Sequence, residues 1–260
     1  MKAIEIIREI ESFAPLSTQE SYDNCGIQVG DSHTEVTGLM ITLDVTEDVV
    51  DEAIALGCNF ILSHHPLIFR GIKKITGDDY IQKCLIKAIK NNILIYSAHT
   101  NVDKAYKGVS AILAKKIGLI NGKILKAEGD GSYGLGYIGE LPIEERAIEF
   151  LSRIKQELGV GCIRHTRFAT ERKIKKVALC GGSGSEFIPD AIANQVDIYL
   201  TGDIKYHQFF EVKNDLILAD IGHFESEQYI KDVFFDIVSK INPKFAIHFT
   251  DYKTNPIKYI

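Results

Sequence analysis

Ile61-Leu62-Ser63-His64-His65-Pro66-Leu67-Ile68-Phe69 carries an apolar run, begun at Phe60, that ends in two adjacent imidazoles and a proline. The run from Phe60 to Leu62 reads as a buried strand, and Pro66 forbids its regular continuation. In open α/β sheets, ligands sit beyond the carboxyl ends of the strands. A strand that empties into His-His-Pro therefore marks a site; the plainer alternative is a surface turn with two solvated histidines.

The same transition recurs along the chain. Asn92 to Tyr96 reads as a strand ending in Ser97-Ala98-His99-Thr100-Asn101-Val102-Asp103. Asp197 to Leu200 ends in Thr201-Gly202-Asp203-Ile204-Lys205-Tyr206-His207, and Asp215 to Ala219 ends in Asp220-Ile221-Gly222-His223-Phe224-Glu225-Ser226-Glu227. Further strands are expected over Gly38–Leu43, Val160–Thr166, Lys176–Cys180 and Phe245–Phe249. Apolar periodicity predicts helices over Lys2–Ser12, Val49–Leu56, Asp78–Asn91, Val109–Ile117, Ile143–Leu158, Phe187–Asn194 and Gln228–Lys240. Glycines crowd between Gly129 and Gly139, which marks a connection or hairpin. Strands alternating with helices predict the α/β class.

The two halves carry the same polar signature. Leu39–His65 and Val177–Asp203 both run strand, turn, helix, strand, polar tip, at an offset of 203 − 65 = 138. Asn91–Asp103 and Asp215–Glu227 both run strand, histidine, three residues, carboxylate, at an offset of 227 − 103 = 124. Two similar α/β domains related by a pseudo-twofold are expected, 1–124 and 125–260, with the C-terminal tail packing back on the first. Their strand tips would face one cleft.

Bulk properties narrow the function classes. A chain of 260 residues suits one large or two small domains. The net charge of −5 gives no electrostatic reason to expect a nucleic-acid partner; the basic run Arg172–Lys176 reads as a solvated lead-in to a strand. Cys25, Cys58, Cys84, Cys162 and Cys180 form no C-x-x-C pair, which argues against a disulfide framework or thiolate zinc site and fits a reducing cytoplasm. Met1-Lys2-Ala3-Ile4-Glu5 begins an amphipathic helix rather than a signal peptide. No apolar run approaches the ~18 residues of a membrane span.

The polar tips collect His64, His65, His99, Asp103, Asp203, His207, His223 and Glu227, which holds five of the chain's eight histidines. His33, His165 and His248 are taken as surface or core-satisfied. Imidazole is the commonest protein metal ligand and carboxylates can bridge ions. Three histidines with two carboxylates exceed what one tetrahedral catalytic ion needs and suit two ions ~3.5–4 Å apart. A nitrogen and oxygen set without thiolate favours Zn, Mn, Fe or Ni over Ca or Mg. Other constellations rank lower. Ser63 or Ser97 in a Ser-His-Asp triad lacks the G-x-S-x-G elbow. Gly181-Gly182-Ser183-Gly184-Ser185 is placed to cradle a phosphate but lacks the P-loop pattern. Lys205, Tyr206 and His207 read as substrate contacts or as a polar helix start.

Six motifs in order resemble the NIF-three-like family, often labelled GTP cyclohydrolase 1 type 2 homologues. They are Asp23–Gly30, Ser63–Phe69, Ala98–Asp103, Thr201–His207, Gly222–Glu227 and Asn255-Pro256-Ile257. The resemblance implies two α/β domains with a dinuclear metal centre in the cleft between them. It puts the ligands on His64, His65, Asp103, His223 and Glu227, with His99 close by as an assistant. It implies a toroidal homohexamer, a trimer of dimers, with the sites facing an inner cavity. Departures are mild. Tyr22 stands where the family often has Trp, Cys25 where it often has Val, and the stretch 118–176 leaves no room for the middle domain of long members. The expected function is a metal-dependent hydrolase acting on a small molecule; the alternative is a non-enzymatic metal-handling or adaptor ring. No residue identifies a guanine pocket, so the label is not read as an activity.

Overall fold

The computed structural model describes residues 1–212 and 216–260, and they form two compact units. The first takes Met1–Val102 and Ile230–Pro256, the second Asp103–Tyr229 and Ile257–Ile260. The first opens with α1 (Ala3–Phe13), β1 (Gly26–Val29), β2 (Leu39–Thr42), α2 (Glu47–Ala55), β3 (Phe60–Ser63), α3 (Tyr80–Lys90) and β4 (Leu94–Ser97). The short α4 (Thr100–Lys104) carries the chain over the boundary. The second unit holds α5 (Val109–Lys116), β5 (Ile120–Glu128), β6 (Tyr133–Arg146), α6 (Ala147–Glu157), β7 (Arg164–His165), β8 (Lys173–Ser183), α7 (Ile188–Ala193), β9 (Ile198–Gly202), β10 (Ile217–Asp220) and α8 (His223–Glu227). With α9 (Ile230–Ile241) and β11 (Ile247–Phe249) the chain returns to the first unit.

Both units are α/β, as predicted. The first sheet runs β1-β4-β3-β2-β11, parallel except for β1. The second runs β5-β6-β8-β9-β10-β7, with β8, β9 and β10 parallel. Each thus has three parallel strands in chain order and an antiparallel strand beyond the third: β1 beside β4, β7 beside β10. β2, β3 and β4 are buried along their whole length, as parallel strands covered on both faces must be. Met40, Ile61 and Ile95 pack beneath Val49, Val50 and Ala53 of α2 and Leu85 and Ala88 of α3. In the second unit, Phe150, Leu151 and Ile154 of α6 close one face of the sheet, and Ile188 and Ala191 of α7 pack on the other.

Register positions the chemistry. Thr42, Ser63 and Ser97 are aligned across β2, β3 and β4, so Asp44, His64-His65 and Ala98-His99 emerge from neighbouring strand ends. Local signals explain the helices beneath them. Thr46 Oγ1 accepts from Val49 N at 3.3 Å and caps α2, and Asp79 Oδ1 accepts from Gln82 N at 2.8 Å and caps α3.

Several boundaries differ from expectation. The division does not fall between residues 124 and 125. Ile120–Glu128 pairs with β6, which places this segment in the second unit, while β11 pairs in parallel with β2 of the first. The helix expected from Ile143 starts at Ala147, because Glu145 and Arg146 still pair with Ile174 and Lys173 of β8. The strand expected over Val160–Thr166 is reduced to Arg164–His165. The strand expected from Asp215 begins there outside the described residues; β10 is seen from Ile217.

Phe150 is fully buried in the second unit's core. Phe150→Ala is expected to cost about 3–5 kcal/mol. Urea unfolding followed by circular dichroism should show a clear loss of midpoint; an unchanged midpoint would contradict this packing.

Candidate metal centre

Three imidazoles meet at the strand ends of the first unit. Donor atoms of His64, His65 and His99 lie within 4.8 Å of one another, and their ring centroids are 4.9 to 5.4 Å apart. Each ring is held at Nδ1. His64, fully buried, donates to Ala98 O at 2.9 Å; His65 donates to Asp44 Oδ1 at 2.7 Å; His99 donates to Asp23 Oδ1 at 2.9 Å. Carbonyl and carboxylate oxygens only accept, so Nδ1 carries the proton and Nε2 is the nitrogen with a lone pair to give. An oxygen behind a histidine in this way is the usual support of a metal-ligating imidazole.

The supporting groups are themselves braced. Asp23 accepts from the Thr100 backbone N–H at 3.0 Å, from the Thr100 hydroxyl and from Cys25 Sγ at 3.0 Å. Burial opposes its ionisation, but the hydrogen bond and charge of His99, with Thr100 and Cys25, hold its carboxyl well below the usual range. Burial, with the charge of Asp23, pushes the Cys25 thiol up to about 12. Asp44 also accepts from Thr254 Oγ1 at 2.7 Å. Asn101 is fully buried, accepts from His99 N at 2.9 Å and donates to Ala14 O at 2.7 Å.

The second unit gathers Asp103, His223 and Glu227. His223 and Glu227 sit at the two ends of α8, four residues apart and so on one face. His223 donates from Nδ1 to Asp203 Oδ2 at 2.7 Å, and its Nε2 lies 3.0 Å from Glu227 Oε2. Donor atoms of Asp103 and Glu227 lie within 4.8 Å of each other. Burial works against the imidazolium of His223, but the charges and hydrogen bonds of Glu227 and Asp203 push its pKa up to about 11. The hydrogen bond from His223 in turn lowers that of Asp203. The carboxylates stabilise positive charge at this point, which is what a cation site requires. Imidazole donors in the first unit and imidazole and carboxylate donors in the second could hold a metal ion.

Close approach shapes this half. Ser226 Oγ accepts from Gly182 N at 2.9 Å and donates to His223 O at 2.8 Å, tying α8 to β8. A Cβ on Gly182, whose φ is +63°, would lie 2.0 Å from Glu227 Oε1; one on Gly202 would lie 2.9 Å from the His223 backbone. The glycine-rich stretch, weighed as a phosphate cradle and ranked below a structural turn, is put to this structural use. Gly181–Ser183 belongs to β8, and the N–H groups of Gly181, Gly182 and Gly184 go to Ser110, Ser226 and Thr201 side chains.

The remaining expectations sort as follows. Ser63 Oγ and Ser97 Oγ are 2.8 Å apart, and both donate to His65 O, so they shape the turn and do not serve as triad nucleophiles. His207 is exposed in a 3-10 turn with Tyr206 and Phe210, apart from both clusters. Asp203 supports His223 rather than joining the donor group. Sequence reading missed the supporting roles of Asp23 and Asp44. Asp44 follows β2 as the histidines follow β3 and β4, a signal that was available.

A family model described as Duf34/NIF3 (NGG1p interacting factor 3) matches residues 1–256. The chain is 40% identical over 229 residues to a "GTP cyclohydrolase 1 type 2 homolog" of Clostridium perfringens, covering 87% of each chain. It is 32% identical over 262 residues to a protein of the same description from Lactococcus lactis, covering 98% of each. Among solved structures, a Bacillus cereus protein related to NIF3 superposes with a TM-score of 0.92 at 28% identity, over 100% of this chain and 99% of that one.

Gly57, like Gly182, has positive φ (+70°), but a Cβ there meets nothing within 4 Å. Alanine at either position bears the left-handed penalty of about 1–2 kcal/mol; only Gly182→Ala also strikes Glu227. Thermal melting should show Gly182→Ala losing clearly more stability than Gly57→Ala. Equal losses would contradict the close packing of Glu227 on β8.

Proposed function

The chain belongs to the Duf34/NIF3 family, and from that premise we propose a metal-dependent hydrolase with a centre of two divalent ions. The proposed ligands are His64, His65, Asp103, His223 and Glu227. One observation carries the reading: His64 and His65 are each held by an oxygen at Nδ1, which commits Nε2 as donor, while His223, held by Asp203 at Nδ1, would offer Nε2 once an ion displaces the proton it shares with Glu227. Glu227 is the proposed shared carboxylate, because Asp103 and His223 both offer donor atoms within 4.8 Å of it. The chain path supports a joint centre. Asp103 is the first residue of the second unit, and Glu227 lies two residues before Tyr229, where the chain turns back to the first.

Two such ions, held by these residues, would supply Lewis acidity and lower the pKa of a water toward neutral pH. The chain's own residues supply the rest. His99, fixed at Nδ1 by Asp23, has Nε2 with which to accept and return a proton. Asp23 and Asp44 keep His99 and His65 in one orientation and one tautomer. The relatives' description makes nucleotides the first substrates to try, since opening a purine ring is a hydrolytic step.

We also propose that the chain assembles as a homohexamer, a trimer of dimers, in the cytoplasm. No helix among the described residues is long and apolar enough to cross a membrane. Cys58, Cys84 and Cys180 are buried thiols, which suits a reducing compartment.

Metal analysis of untagged protein is expected to give close to two ions per wild-type chain and at most one in His64→Ala or Glu227→Ala. Asp44→Asn, which alters only the group behind His65, should weaken metal binding about 10- to 100-fold. Equal, substoichiometric metal in wild type and variants would contradict the centre. Turnover of a nucleotide, phosphoester or cyclic amidine that is lost in Glu227→Ala supports the hydrolase; fully loaded protein inert toward all three classes turns the reading to metal handling.

A further inference from the structure

Two large aromatic rings stand in solvent beside the three histidines of the first unit. Tyr22 is 63% exposed and Phe69 is 44% exposed. Their centroids are 6.4 Å apart, and Phe69 lies 6.2 Å from His99, edge to face. The series Tyr22, Phe69, His99 and the His64–His65 pair is therefore continuous, each ring against the next.

Neither ring sits on a loose loop. Ile68, before Phe69, donates its N–H to Gln28 Oε1 at 3.1 Å and accepts at its carbonyl from Asn24 Nδ2 at 2.6 Å. Gln28 Nε2 donates back to Asn24 O at 2.7 Å. Tyr22 precedes Asp23, the carboxylate behind His99. The segments that hold the histidines are thus the ones that present the aromatic faces. Burial of such rings is a main source of folding energy, so two of them left this exposed at the edge of a donor cluster offer their faces to a ligand.

We infer that Tyr22 and Phe69 form a stacking wall that selects a substrate with a planar, nitrogen-containing aromatic ring. The ring would lie on Phe69 and Tyr22 while its polar substituents reach toward His99, His64 and His65. This rests on the proposed hydrolase centre for its place in the reaction, but the stacking contact itself needs only the first unit's residues. Aromatic faces bind any flat π system with little preference among bases, so the wall sets ring class and leaves finer choice to the polar groups.

Equilibrium dialysis with guanosine, adenosine, uridine and nicotinamide, and with ribose as the ring-free control, tests it on the full chain, both metal-loaded and stripped by chelator. At least one ring compound should bind and ribose should not. Phe69→Leu and Tyr22→Leu should each weaken that binding about 10-fold or more, while Phe69→Trp stays within about 3-fold of wild type. Metal content is measured on the same samples. Ring-dependent binding by protein that takes up no metal even when loaded would remove the dinuclear centre and keep the wall. Equal affinity in wild type and the leucine variants, no ring compound bound by either form, or weakened binding that follows a change in native mass would overturn the wall; the last would place the rings between copies of the chain.

Discussion

An oxygen placed behind the Nδ1 of an imidazole is the interaction on which this protein's chemistry depends. Among the histidines that follow the strand ends of the two donor clusters it holds all four: Ala98 O with His64, Asp44 with His65, Asp23 with His99 and Asp203 with His223, at 2.7 to 2.9 Å. A neutral imidazole has one donor and one acceptor, and which nitrogen is which depends on its surroundings. For His64, His65 and His99 the oxygen makes the choice and points the lone pair of Nε2 away from its own support; His223 has a carboxylate at each ring nitrogen and is held as the imidazolium. The parallel strands make this possible. With Thr42, Ser63 and Ser97 in register, the end of one strand delivers the oxygen that fixes the histidine of the next. His65 of β3 is held by a carboxylate that follows β2, and His64 by a carbonyl that follows β4.

The second unit reaches a similar arrangement by tighter means. Asp203 has φ +54°, left-handed backbone that costs a residue with a side chain about 1 kcal/mol, and from there it meets His223. α8 lies so close on β8 and β9 that only glycine fits at positions 182 and 202. This strain is offset by the cores of α5, α6 and α7 against the sheet, with Phe150 and Tyr199 both fully buried. Glu227 is itself almost fully buried, and His223 beside it supplies the opposite charge.

Much of this was legible in the residues. Apolar runs gave β2, β3, β4, β9, most of β10 and the middle of β8, and the polar tips after them gave His64, His65, His99, His223 and Glu227. What escaped was non-local. Asp23 lies 76 residues from His99 and Asp44 lies 21 from His65, and no periodicity reports such a pairing. The hairpin of β5 and β6 was marked only by its glycines. Ile143-Glu144-Glu145-Arg146 has the charge pattern of a helix start, yet pairing with β8 keeps it extended. The return of the C-terminal part to the first unit was expected, but its partner was not: β11 joins β2 across some two hundred residues of chain, a contact that tertiary packing alone decides.

Anomalous X-ray diffraction at the metal absorption edge, from crystals of the untagged full chain, would locate the ions. Two peaks per chain are expected, bounded by His64, His65, Asp103, His223 and Glu227, with Glu227 adjoining both and His99 beside them. No peak at these residues, or a single ion held without Glu227, would contradict the two-ion centre.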